Sequence, residues 1–207
     1  MNYLAHAWLS GNHPGVLVGN LISDFVKGRT RFNYPEEVQL GISLHRTIDQ
    51  ITDQHPATRE AKEFFRPAYR LYSGAFVDVV YDHFLASDPA FFPEEGNLFQ
   101  FSQHTFQHLK AYQGPLPDQF SYLLPYMIRQ NWLYHYRFTR GIEESFGGLV
   151  RRTVHLTDRS AAITLFHQHY PQLNACYQAF IPDMVHTVTN WFQEHLPEHP
   201  TDHFNPS

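Results

Sequence analysis

The strongest constraint on how this chain folds lies between residues 38 and 52. Val38, Gly41, Ile42, His45, Ile48, Asp49 and Thr52 recur at helical spacing, so an imidazole and a carboxylate continue a stripe that otherwise turns inward. Other elements must cover that stripe, and the polar groups on it need partners. A buried polar group without a partner costs roughly 2–7 kcal/mol, and a charge costs more. A metal ion is one such partner. Pro35 suits the first turn of this helix, Glu36 and Glu37 suit its positive end, and the pattern runs to about Asp53.

A second apolar run, Ala75 to Leu85, repeats the arrangement with Asp78 and Asp82. Two carboxylates on one helical turn repel each other unless a cation lies between them or one is protonated. His83 follows directly, about 100° further round the helix. Asp24 sits among Leu21, Ile22, Phe25 and Val26 and pairs at i,i+4 spacing with Asn20. His6 lies beside the inward residues Leu4, Ala5, Trp8 and Leu9 of a short helix predicted over residues 2–11. One shared site built from Asp24, His45, Asp49, Asp78, Asp82 and His83, with His6 as a further candidate, accounts for all of them.

Each residue also has a purely structural reading. His45 fits a core histidine bonded to a carbonyl, Asp49 an ion pair with Arg46 or Arg70, and Asp24 a cap or a partner of Lys27. His6 reads equally as packing, and His83 as a flank of the site. Four carboxylates inside apolar helical stretches are hard to explain as unrelated ion pairs, which favours the shared site. Carboxylate and imidazole without thiolate suit Mn²⁺, Mg²⁺, Fe²⁺ or Zn²⁺, and sequence does not select among them.

Further along, Pro56 starts a helix that Pro67 is expected to kink or break, and the Asp78 helix stops at Asp88-Pro89. Residues 98–112 read as a helix, Gly114 to Pro117 as a linker, and 119–138 as helical despite Pro125. Gly147-Gly148 is expected to end a further segment, Asp158 to cap a helix over 159–169, and Pro171 to begin one reaching about His195. No period-2 pattern and no internal repeat occurs. The expected fold is therefore all-α, a single-domain helical bundle over residues 1–196, with a disordered tail from Pro197.

Composition narrows the function. With 43% hydrophobic residues among 207, the chain can build a substantial core. A formal net charge of −5 argues against a general nucleic-acid binder. Cys176 is the only cysteine, which excludes an internal disulfide and a Cys-rich zinc site. The first residues lack a basic n-region, and no apolar run approaches the roughly 18–20 residues of a membrane span, so a cytoplasmic protein is expected. There is no Gly-rich phosphate loop ending in Lys-Ser/Thr, no G-x-S-x-G elbow, no H-E-x-x-H and no C-x-x-C.

Four motifs, Met1 to His6, Gly19 to Gly28, Gly41 to Asp49 and Asp78 to Leu85, resemble in order and spacing those of the bacterial acyl carrier protein phosphodiesterases. The resemblance implies an all-helical, HD-phosphohydrolase-like metallohydrolase active with Mn²⁺. Its reaction would remove 4'-phosphopantetheine from the serine of holo-acyl carrier protein. Carried over by position, Asp24, His45, Asp49, Asp78, Asp82 and His83 form the metal centre. A carboxylate such as Asp24, or His83, would handle the proton, and Arg46 would contact phosphate. The local order Asp82-His83 reverses the His-Asp order usual in HD proteins. Two other readings use the same residues: a hydrolase of a nucleotide or other small phosphodiester, and a non-catalytic helical module that binds a carrier protein.

Overall fold

The computed structural model describes residues 1–94, 96–153 and 158–197, and among these the chain forms eleven α-helices and no strand. Its first three helices are α1 (Tyr3–Trp8), α2 (Pro14–Ile22) and α3 (Glu36–Gln54). The middle of the chain forms α4 (Pro56–Tyr69), α5 (Ser73–Ser87), α6 (Asn97–Ala111) and α7 (Asp118–Arg129). The last four are α8 (Trp132–His135), α9 (Thr139–Arg152), α10 (Ser160–Gln168) and α11 (Tyr170–His195). The tail beyond residue 197 lies outside the described residues.

Helix starts follow local chemistry. Prolines occupy the first turn of α2, α4 and α11, where the missing N–H has no intrahelical acceptor to lose. Glu36 and Glu37 fill the first turn of α3, and the His55 side chain accepts from Ala57 N to cap α4. Helix α5 is buried on nearly every face, from Phe76 through Ala86, as expected of a helix apolar all round. Around it pack α1, α4, α9 and α11, while α2 and α3 run against each other along their lengths.

The α2–α3 crossing is built on two glycines. A Cβ on Gly41 would lie 2.1 Å from the Val16 carbonyl oxygen and 2.9 Å from Gly19 Cα. A Cβ on Gly19 would lie 2.0 Å from the Val38 carbonyl oxygen. Backbone therefore meets backbone, and neither helix has a flexible side chain that could yield. Gly41→Ala must part the helices, and we expect a loss of about 2–3 kcal/mol or more in denaturant unfolding. Wild-type stability in that variant would contradict the crossing.

Three local expectations are corrected. Helix α4 passes Pro67 and ends only at Arg70, whose φ is 49°, because a proline in the last turn removes little more than one backbone bond. The stretch 119–138 divides where Asn131 adopts a φ of 43° and caps α8 by accepting from Tyr134 N. Gly147 and Gly148 lie inside α9, which continues to Arg152, held by buried Ile142 and Phe146.

Candidate metal centre

Three elements bring four side chains together. α1 carries His6, and α3 carries His45 and Asp49. Asp24 sits on a single 3₁₀ turn, Ser23–Phe25, that ends α2. His45 Nε2 lies 3.1 Å from Asp49 Oδ2 and 3.2 Å from Asp24 Oδ1. His6 Nε2 lies 3.2 Å from Asp49 Oδ1, and the two imidazoles stack 4.0 Å apart. Among the described residues, His6, His45 and Asp49 form the group whose donor atoms all lie within 4.8 Å of one another. The imidazoles are buried, while the Asp24 and Asp49 side chains are 68% and 44% exposed and form the mouth.

One residue orients both imidazoles, and it was not among those expected from sequence. Asn20 Nδ2 donates to the His6 carbonyl at 2.8 Å and to Ser10 Oγ at 2.9 Å, so its Oδ1 is the atom facing His6 Nδ1 at 2.7 Å. His6 Nδ1 must then carry the proton. The Asn20 carbonyl accepts from His45 Nδ1 at 2.7 Å. Both Nε2 atoms are thereby aimed at the carboxylates, the arrangement by which outer partners fix metal-binding imidazoles. The available signal was Asn20 itself, an amide in an apolar run one turn before Asp24.

Counting protons tests whether an ion fits. Burial, and then the positive charge of His45, lower His6 from 6.5 to about 4, so His6 is neutral near pH 7. A neutral imidazole has one N–H, and that proton is committed to Asn20. The contact between His6 Nε2 and Asp49 Oδ1 is therefore lone pair against lone pair. A cation held by both atoms would resolve it. Two imidazoles and a carboxylate also leave coordination positions open for water and substrate oxygen.

Burial opposes protonation of His45, but bonds to Asp24 and Asp49 outweigh it and raise its pKa from 6.5 to about 9. The bond from His45 holds Asp24 below its ordinary value. Burial would raise Asp49, yet the bond from protonated His45 prevails and lowers it. A raised histidine stabilises the metal-free fold fully below pH 6.5 and loses that contribution as pH rises through about 9. Metal must displace the same proton. We therefore expect apparent metal affinity to rise over that window with release of a proton, read by calorimetry in buffers of different ionisation enthalpy. Affinity independent of pH there would contradict the arrangement.

The remaining expected residues are placed differently. Asp78 accepts from the Met1 α-ammonium at 2.8 Å, and Asp49 and Asp82 also act on that ammonium electrostatically. Asp82 accepts from the backbone N–H groups of Asn2, Leu4 and Ala5, so it caps α1. Burial pushes its carboxyl up to about 7 against the pull of the ammonium and those donors. The Met1 ammonium thus lies against Asp78 and acts on Asp82 electrostatically. His83 donates from Nδ1 to the Tyr136 carbonyl at 2.7 Å and accepts at Nε2 from Tyr170 Oη at 3.1 Å. The structure does not bring Asp78, Asp82 or His83 into the His6–His45–Asp49 group. Arg46 is exposed beside His45.

No described helix is long and apolar enough to cross a membrane. A family model for acyl carrier protein phosphodiesterase matches residues 1–184. The protein of that name from Photorhabdus laumondii is 32% identical over 190 residues, covering 92% of this chain and 96% of the relative. The one from Yersinia pestis is 32% identical over 185 residues, covering 89% and 96%. The one from Enterobacter sp. strain 638 is 33% identical over 190 residues, covering 92% and 98%. No solved structure matches the chain. With nearly the whole of its length matched, and the helices that carry His6, Asp24, His45 and Asp49 inside the matched part, this chain belongs to the acyl carrier protein phosphodiesterase family.

Proposed function

We propose that the chain is a divalent-metal-dependent phosphodiesterase that releases 4'-phosphopantetheine from the serine of holo-acyl carrier protein. The observation that carries this reading is the protonless contact between His6 Nε2 and Asp49 Oδ1 at the mouth of a half-open site, in a chain of this family. His6, His45 and Asp49 would hold the ion, and the family resemblance favours Mn²⁺. Once bound, such an ion supplies Lewis acidity toward phosphoryl oxygens and an acidified water.

The chain's own residues do the rest. Asn20 keeps both imidazoles in the tautomer that leaves Nε2 bare. Asp24, exposed and ionised, accepts the proton of the attacking water and returns it to the departing seryl oxygen. Arg46 offers a planar fork to the phosphate from beside His45. Lys27 and Arg29, exposed just past Asp24, attract an acidic carrier protein to the mouth. Asp78 and Asp82 act at one remove by fixing the start of α1, and hence His6. His83 acts further away, by holding Tyr136.

Intact-mass spectrometry of holo-acyl carrier protein incubated with the protein and Mn²⁺, beside a chelator control, tests the reading. Metal-dependent loss of the phosphopantetheine mass is expected. An unchanged mass with metal demonstrably bound would move the substrate elsewhere.

A further inference from the structure

A cleft of about 830 Å³ opens between the start of α1 and the segment from α7 to α9, and the metal centre does not use it. Its size falls within the roughly 300–1,000 Å³ of small-molecule sites. Asn2, Tyr3, Leu123, Trp132, Tyr136 and Ser145 form its buried or half-buried walls. Tyr3 and Trp132 face each other with ring centroids 6.3 Å apart.

Two independent links tie this cleft to the candidate centre. Asn2 and Tyr3 precede His6 by one helical turn, and the Asn2 carbonyl accepts from His6 N at 3.1 Å. One turn rises about 5.4 Å, so the cleft wall begins that far along α1 from the imidazole. On the other side, Phe25, the neighbour of Asp24, packs on Phe120 at 5.9 Å. Leu123, one turn further along α7, lines the cleft. The cleft therefore adjoins α1, which carries His6, and its α7 wall belongs to the helix that packs on Phe25 beside Asp24.

The chemistry of the walls selects its occupant. The charged lining residues, Arg140, Glu144 and Arg151, are all exposed at the rim, and Arg140 is paired with Glu144 at 2.9 Å. Inside, the polar groups are neutral, the amide of Asn2 and the hydroxyl of Ser145, set among aromatic rings, with the exposed amide of Gln130 at the rim. An uncharged chain carrying amides fits such a lining; a nucleotide, with further phosphates to neutralise, does not. His83 belongs to this account, because its Nδ1 bond fixes the Tyr136 carbonyl in the cleft wall.

We propose that this cleft binds the pantetheine arm of the carrier protein, its phosphodiester end toward His6 and its thiol end toward α9. The proposal rests on the phosphodiesterase reading for its substrate and on the cleft for its location. It assigns Leu123, Trp132 and Ser145 to substrate binding.

The test uses full-length protein, with S-methylpantetheine as a probe that lacks the scissile bond. Titration should quench tryptophan fluorescence in the wild type, and the quench should be lost in Trp132→Phe and in the cleft-filling variants Leu123→Trp and Ser145→Leu. With holo-carrier protein, the two filled variants should show kcat/KM reduced by about tenfold or more, carried mainly by KM, while Mn²⁺ binding and helical circular dichroism stay unchanged. Hydrolysis with wild-type KM in both filled variants would overturn the cleft assignment and leave the activity standing. Failure of the wild type to hydrolyse holo-carrier protein would remove the activity reading. In that event, quenching that is lost on filling the cleft would still support the arm site, and absence of quenching would overturn it.

Discussion

His45→Ala is expected to abolish specific metal binding and to lower turnover by more than a hundredfold, since even outer partners of metal ligands cost roughly 10–100-fold. His45 contributes more than a nitrogen. It bonds Asn20 across the α2–α3 crossing, meets both Asp24 and Asp49, and stacks on His6. Removing it leaves two carboxylates facing one remaining imidazole. Asn20 still spans α1 and α2, so the helical circular dichroism signal should persist. Metal content by mass spectrometry and turnover of holo-carrier protein check the result. Normal metal content would mean that the ion sits on other residues.

Asp82→Ala should produce the largest loss of stability, about 3–5 kcal/mol in urea unfolding of the metal-free protein. The substitution strands the buried N–H groups of Leu4 and Ala5, takes the acceptor from the half-buried N–H of Asn2, and removes one of the anions around the Met1 ammonium. Because burial holds this carboxyl up to about 7, the neutral Asp82→Asn variant should retain an intermediate stability. Asp24→Ala is the contrast: its carboxylate is largely exposed, so stability should change by less than about 1 kcal/mol while turnover is lost. An unchanged unfolding midpoint in Asp82→Ala would remove Asp82 as the cap of α1.

These two residues also show what the sequence could and could not reveal. The helical stripe through His45 and Asp49 was legible because periodicity is a local property, and the same holds for the apolar run around Asp78 and Asp82. The buried carboxylates were therefore recognised as needing cations. Which cation serves which carboxylate is a long-range matter. Asp78 and Asp82 are served by Met1 and the first turn of α1, 77 or more residues away in sequence. Nothing in a spacing pattern distinguishes an ammonium from a metal ion.

The histidines divide for the same reason. His83 in an apolar helix looks like His45 in an apolar stripe. The difference is that His83 meets a carbonyl and a phenol, and His45 meets two carboxylates. His6, one of the three grouped residues, was equally readable as packing until Asn20 fixed its proton. Asp24 reached the mouth because the chain tightens into a 3₁₀ turn at Ser23, a change of pitch that apolar periodicity does not register. The prolines and glycines misled locally where their position within a helix, at its end or against a neighbour, decided the outcome.

The most direct test is anomalous diffraction at the manganese edge from crystals grown with Mn²⁺ under conditions that support turnover. The account predicts a peak bounded by His6 Nε2, His45 Nε2 and the Asp49 carboxylate. A peak among Asp78, Asp82 and His83, or no peak while the protein in solution remains metal-dependent, would contradict it.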